Sequence, residues 1–486
     1  MRKTGILLHI TSLPSKYGIG TLGKEAFHFV DQLNYSKQSY WQILPIGPTS
    51  YGDSPYQTFS AFAGNPYFID LEILIEEKLL LKEEIDIFVS DDSVVDYYQQ
   101  YQKRFLILKK AFFRFDIHNK NFQKFVKREK DWLFDYCLFM TIKNLNDGKS
   151  WIKWDHKQKI RDPKTIKKII EENQEEIDFW HFVQFKFYEQ WSNLRRYANK
   201  NKVKIIGDIP IYLALDSSDV WANPKMFDLN EELTPIYVAG VPPDGFSEFG
   251  QLWGNPLYDW KYMEKTNFSW WIKRIASSLK MFDIVRIDHF IGFDHYYKIP
   301  YCDSNAVNGH WVDGPGYKLF KAIKESLGKV AVIAENLGDV TERVKKLLKD
   351  CHFPGMVLSQ FSFYGEEKKY LPCNYENNII AYTGTHDNMT TKSWVETLND
   401  YDKNFLLDYT HSNLDTVVDG LIKVTLSSNA KLTIIPLQDY MNLDDKARMN
   451  EPATIGNNWV FRVKKSDLND QLFDKIKRFT ILYNRN

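Results

Sequence analysis

Four carboxylates in this sequence follow short apolar runs: Asp208 in IIGDIP, Asp288 in IVRIDHF, Glu335 in VIAENLG and Asp387 in YTGTHDN. A single carboxylate at the end of a strand is often a helix N-cap. Four in equivalent positions suggest a shared mouth, where carboxylates hold a divalent metal or divide acid and base work between them. A metal hydrolase would also want imidazole ligands, and the chain has no His-x-His. His289 and His386 each adjoin a carboxylate, a place where a lone histidine more often donates a hydrogen bond. The expectation is therefore no metal and, with no Gly-x-Gly-x-x-Gly after the first strand, no dinucleotide cofactor.

Glycoside chemistry accounts for more of the pattern. Breaking a glycosidic bond needs one ionised carboxylate and one protonated carboxyl flanking the anomeric carbon. Arg286 and Asp288 are two residues apart in a strand-like run, so their side chains share a face. A guanidinium there favours the ionised form of Asp288, as a nucleophile requires. Glu335 is the candidate acid, provided that apolar surroundings raise its pKa. The plainer alternative for Arg286 and Asp288 is a structural ion pair.

These residues need a frame that brings strand ends together. Eight runs read as strands: Ile6–His9, Gln42–Ile46, Lys204–Ile209, Ile284–Ile287, Val330–Ala334, Met356–Phe361, Ile379–Tyr382 and Leu432–Ile435. Continuous apolar runs suit parallel strands buried on both faces. Helical patterns fall between several of them, at Asn267–Lys280, Gly316–Ser326 and Thr341–Lys349. The fold class is α/β: a (β/α)8 TIM barrel whose active site lies at the carboxyl ends of its strands. From Glu72 to Lys202 the only glycine is Gly148 and the only proline Pro163. That stretch carries an apolar stripe (Trp180, Val183, Phe187, Trp191, Leu194, Ala198) at steps of three and four. Residues 72–202 thus read as a mainly helical insertion after the second strand, with the barrel made of 1–71 and 203–486.

Composition narrows the partners. The 63 Lys+Arg balance 63 Asp+Glu, which argues against nucleic acid and against a simple anionic-membrane binder. No window approaches 18 uninterrupted apolar residues, so no membrane span is expected. Aromatic residues make up 15% of the chain, which fits an uncharged, ring-stacked ligand as well as a core. Cys137, Cys302, Cys351 and Cys373 form no Cys-x-x-Cys pair, and MRKTGILLHITSLP has no signal-peptide core. A cytoplasmic protein with free thiols, monomeric or weakly homo-oligomeric, is expected.

At these residues the sequence resembles the amylomaltases, the bacterial 4-α-glucanotransferases of glycoside hydrolase family 77. The likeness runs through GILLHITSLPSKYGIGTLG (5–23), WQILPIGPTSYGDSPYQTFSAFAGNP (41–66), GDIPIYLALDSSDVW (207–221) and GVPPDGFSEFGQLWGNPLYDW (240–260). It continues in RIDHF (286–290), AENLGDV (334–340), TGTHDN (383–388) and RMNEP (448–452). The resemblance implies a retaining transferase, without a cofactor, that passes segments of α-1,4-glucans to the 4-hydroxyl of maltooligosaccharides. It implies Asp288 as nucleophile, Glu335 as acid/base and Asp387 as the carboxylate gripping sugar hydroxyls. Arg286, Asp208, His289 and His386 match positions around the reacting sugar, and Tyr56 the ring beside it. Ser54, Gln251, Trp253 and Asn458 match further substrate contacts. Thr21, Ile291, Tyr297, Met389 and Ala453 depart from the usual residues, which bears on subsite preference and on the balance of transfer and hydrolysis.

Residues 240–260 interleave glycines and prolines with Phe246, Phe249 and Trp253. Such a loop can act as an aromatic lid that excludes water and so favours transfer. An α-1,4-glucan hydrolase on the same carboxylates, and a non-catalytic glycan-binding protein, remain open at this point.

Overall fold

The computed structural model describes residues 2–486 except 87, 89–92, 244–246, 339 and 366–369. Gly245 and Phe246 of the expected lid therefore lie outside the described residues. Among the described residues there are twelve strands, numbered here in chain order: β1 (Lys3–Leu7), β2 (Tyr40–Gln42), β3 (Lys204–Pro210), β4 (Tyr237–Val241), β5 (Gln251–Pro256), β6 (Ile284–Asp288), β7 (His295–Pro300), β8 (His310–Asp313), β9 (Val332–Ala334), β10 (Gly355–Leu358), β11 (Ile379–Tyr382) and β12 (Leu432–Pro436).

Eight of them, β1, β2, β3, β6, β9, β10, β11 and β12, pair in chain order, and every pair in that sheet is parallel. The Ala334 N–H donates to the Pro354 carbonyl at 3.0 Å, so the sheet closes between β9 and β10. This is the (β/α)8 barrel. Its strand residues Ile205, Ile206, Val285, Ile287, Ile434 and Ile435 are fully buried, as both faces of such a sheet must be. Helices Ser269–Met281, Tyr317–Leu327 and Glu342–Cys351 stand within about two residues of the expected ones.

Three strands, β1, β2 and β10, begin earlier than the apolar runs suggest, at Lys3, Tyr40 and Gly355. β2 ends at Gln42, although Ile43, Leu44 and Ile46 beyond it are buried; an apolar run reports burial, whereas a ladder needs amide donors, which Pro45 lacks. β10 ends at Leu358, and Ser359–Phe363 turn into a 3-10 helix.

The remaining four strands form an antiparallel sheet in the order β5-β4-β7-β8, which the sequence reading did not anticipate. β5 and β8 are partly exposed and carry no continuous apolar run. Within 240–260, the described strands β4 and β5 pair antiparallel, and β4 is anchored to β7.

Residues 72–202 are mainly helical, but their last helix, Gln174–Lys200, belongs to two neighbourhoods. Phe179, Trp180, Phe182 and Phe185 meet Phe112, Phe105, Phe115 and Phe122 of the insertion. Further along, Trp191 Nε1 donates to the Met281 carbonyl at 3.1 Å, and Arg195 pairs with Asp283 at 2.8 Å, both on the barrel. All six stripe residues, from Trp180 to Ala198, are buried packing. Among the described residues no helix is long and apolar enough to cross a membrane.

Candidate active site

Strand register assembles the acidic residues. In the β3–β6 ladder Asp208 is level with Arg286, and Pro210 with Asp288. In the β6–β9 ladder Ile287 is level with Ala334, which places Glu335 beside Asp288 at the carboxyl end. The Glu335 N–H donates to the Ile287 carbonyl and the Phe290 N–H to the Glu335 carbonyl, at 3.0 and 2.8 Å, extending that pairing past the strands.

Arg286 is the shared cation. Its Nη1 lies 2.6 Å from Asp208 Oδ2 and 3.0 Å from Asp288 Oδ1. Burial works against the guanidinium charge, but the two carboxylates outweigh it and hold the pKa well above its ordinary value. The Tyr56 hydroxyl donates to the same Asp208 oxygen at 2.8 Å, so Asp208 ties Tyr56 to Arg286.

Glu335 is 8% exposed, and burial pushes its carboxyl up to about 7; the nearby Arg286 opposes the rise and Asp288 adds to it. Both oxygens accept backbone N–H groups, from His289 at 2.8 Å and Leu337 at 2.5 Å. His289 presents its amide this way because it adopts a left-handed φ of +51°, uncommon for a non-glycine residue. Burial lowers its imidazole pKa to about 4, with Asp288 opposing, so the ring is neutral near pH 7. Trp253 packs edge-on against that ring, with centroids 4.8 Å apart.

Asp387 lies five residues past β11, on a turn where Asn388 Oδ1 accepts the Thr385 N–H and hydroxyl, both at 2.8 Å. His386 Nε2 is 3.2 Å from Asp387 Oδ2. The Asn450 amide donates to Asp387 Oδ1 at 2.7 Å, and Arg448 to the Asp387 carbonyl at 2.8 Å. The His386 ring stacks on Tyr56 at 5.2 Å and 12°, and Trp459 leans on both.

The fold thus brings Asp208, Arg286, Asp288, His289, Glu335, Tyr56, His386, Asp387 and Trp253 into one connected cluster. Gln251 joins through Oε1, which accepts the Trp253 Nε1–H at 3.0 Å. The Ser54 hydroxyl accepts the Tyr56 N–H at 3.2 Å and shapes the turn beneath that ring. Asn458 stands apart from the carboxylates: its amide bonds Glu451 and Thr454 and ties the 451–458 loop to itself. Phe249 is 58% exposed at the end of the hairpin turn.

Asn450 and Trp459 were not singled out from the sequence, although Asn450 lies within RMNEP and Trp459 follows Asn458. Neither type nor spacing marks them, since both reach the site from the far end of the chain. Among the departures from the family pattern, Ala453 holds φ +64° where glycine is usual, a conformation that strains an L side chain. Tyr297 packs in a small separate core with Val238, Ile299 and Ala306.

Comparison with known proteins gives a consistent result. The profile of glycoside hydrolase family 77, described as 4-alpha-glucanotransferase, matches residues 8–468. The 4-alpha-glucanotransferase of Clostridium butyricum is 48% identical over 485 residues, covering 98% of this chain and 100% of the relative. That of Thermus thermophilus is 43% identical, covering 97% and 96%. The amylomaltase of Streptococcus agalactiae, solved in complex with acarbose, superposes with a TM-score of 0.97 at 40% identity, over the whole of both chains.

Proposed function

The chain belongs to glycoside hydrolase family 77, the 4-alpha-glucanotransferases, and from that premise we propose how its residues carry the reaction. The substrates are α-1,4-glucans and maltooligosaccharides, and the path is a double displacement with retention. Asp288, held by Arg286, attacks the anomeric carbon. Glu335 gives its proton to the departing glycosidic oxygen, leaving a glycosyl ester on Asp288. The 4-hydroxyl of an acceptor sugar then attacks that carbon while Glu335 takes its proton, and the ester bond to Asp288 breaks.

Asp387 grips the secondary hydroxyls of the reacting sugar, where bonds that shorten as the ring flattens lower the barrier. Tyr56 and Trp253 supply apolar faces to the pyranose. His386 and the neutral His289 donate N–H groups to sugar oxygens. Asp208 keeps Arg286 and Tyr56 in register, and Ser54, Gln251 and Asn458 shape the edges of the cleft. The β4–β5 hairpin walls the site so that a sugar hydroxyl competes with water at the ester. The reaction needs no cofactor, and the cytoplasm is its place.

The observation that supports this best is the pair of unlike carboxyls: a buried Glu335 with its pKa raised to about 7, level with an arginine-paired Asp288. Incubation with maltotriose tests it. Glucose with maltooligosaccharides longer than the donor is the expected product pattern. Steady shortening with matching new reducing ends would mean hydrolysis, and no change would mean a binding protein. Asp288→Asn should abolish turnover with the fold intact; near-parental turnover would remove Asp288 from the nucleophile role.

A further inference from the structure

Tyr56 sits on a long segment with little regular structure. Between β2 and the helix Leu71–Glu76 the chain forms only two single-turn 3-10 helices and one isolated bridge, Thr49 to Thr58. Unsupported segments of that length do not hold a ring in register. Their buried amides also need partners, because an unpaired backbone group in the interior is costly.

The helix Gln174–Lys200 supplies those partners. Gln184 Oε1 accepts the Gly64 N–H at 2.8 Å while its Nε2 donates to the Gly64 carbonyl at 2.9 Å. Gln190 repeats the pairing on Asp70, at 2.7 and 3.1 Å. Between them the Tyr188 hydroxyl donates to the Phe62 carbonyl at 2.5 Å. Gln184 and Gln190 are 0% and 2% exposed, so water does not compete for these bonds. A carboxamide has the same donor and acceptor as a peptide unit, and each glutamine therefore replaces a missing strand. Contact is close: a side chain at Gly64 would overlap the Phe187 ring of the same helix. The segment's other side is pinned by Asp219, which accepts the Ala61 N–H at 2.9 Å, and by the Ser218 N–H, which donates to the Phe59 carbonyl at 2.9 Å.

We propose that the helical insertion works as a frame for the glucan site, with Gln184, Tyr188 and Gln190 as positioning residues that set the Tyr56 ring through the backbone of 62–70. The helix is suited to this because its first half is locked in the insertion's aromatic cluster and its second half on the barrel. This rests on Tyr56 being part of the glucan site, and the test keeps the two ideas apart.

The experiment is a double-mutant cycle on the full-length enzyme, read as kcat/KM for maltotriose disproportionation, with Tyr56→Ala, Gln184→Leu and their combination. Gln184→Leu should lower kcat/KM about tenfold in the parent, the scale of a lost buried hydrogen-bond pair, and less than twofold when Tyr56 is already Ala. Tyr188→Phe, which removes one hydroxyl, repeats the cycle should Gln184→Leu not fold, with an expected loss of about threefold. Losses that multiply in full in the Tyr56→Ala background would overturn the positioning role, as would a folded Gln184→Leu enzyme of parental kcat/KM. A silent Tyr56→Ala would instead overturn the site reading on which the cycle depends.

Discussion

The Glu335 carboxylate oxygen Oε2 accepts the backbone N–H of His289 at 2.8 Å, and His289 is the residue that follows Asp288. One kink in the chain therefore links the two carboxyls on which the proposed chemistry rests. The left-handed turn at His289 aims its amide at Glu335 and not along the strand, so a change at either residue is felt by the other.

Glu335→Gln keeps the volume but removes the transferable proton and, because an amide nitrogen cannot accept, one of the two backbone N–H contacts. Turnover of maltotriose should fall about 10³-fold, within the range for a positioned general acid. A maltosyl fluoride donor, whose leaving group needs no proton, should form the glycosyl-enzyme at a rate much nearer to the parent. Equal losses with both donors would show that Glu335 is not the acid.

The pH dependence follows from the same carboxyl. As the proposed acid, Glu335 must be protonated for the first displacement, and with its pKa pushed up to about 7 the protonated form is depleted as pH rises. The kcat/KM of the free enzyme should fall on the alkaline side with an apparent pKa near 7, and Glu335→Gln should lose that limb. An alkaline limb unchanged in the variant would assign the titration to another group.

Stability should carry the matching signature. A carboxyl raised from its ordinary 4.5 to about 7 in the folded chain holds its proton more tightly there than when unfolded. Its contribution is fully present below pH 4.5 and is lost as pH rises through 7, at a cost of about 3 kcal/mol by pH 8. Denaturation with urea should therefore find the stability of Glu335→Gln relative to the parent rising by about 3 kcal/mol between pH 4 and pH 8. A constant difference across that range would mean that burial at Glu335 costs the fold nothing.

Asn450 holds Asp387 Oδ1 at 2.7 Å while His386 stands at Oδ2, so the carboxylate is oriented before substrate arrives. Asn450→Leu should lower kcat/KM for maltotriose about tenfold by freeing that carboxylate. Asn450→Asp should be worse, because two carboxylates would face each other. Parental kinetics in both variants would make Asn450 a bystander.

Alternating chemistry along single strands was legible in the sequence. Arg286 and Asp288 share a face because strand side chains repeat every two residues, and the structure keeps them 3.0 Å apart. The eight parallel strands were visible as apolar runs because a barrel buries both faces of its sheet. The aromatic stripe from Trp180 to Ala198 was legible as packing for the same kind of reason, a helical repeat of apolar residues.

The tertiary structure decided what depends on register and on distant segments. The offset between β3 and β6 sets Asp208, not another residue, against Arg286. Asn450 and Trp459 reach the Asp387 turn from about 60 to 70 residues downstream, and Gln184 reaches Gly64 from 120 residues downstream. The half-exposed strands of the β4–β5 hairpin sheet leave little apolar pattern to read. A sequence records which face of an element is apolar; which elements meet, and at what offset, is fixed only when packing has closed the barrel and every buried amide has found its partner.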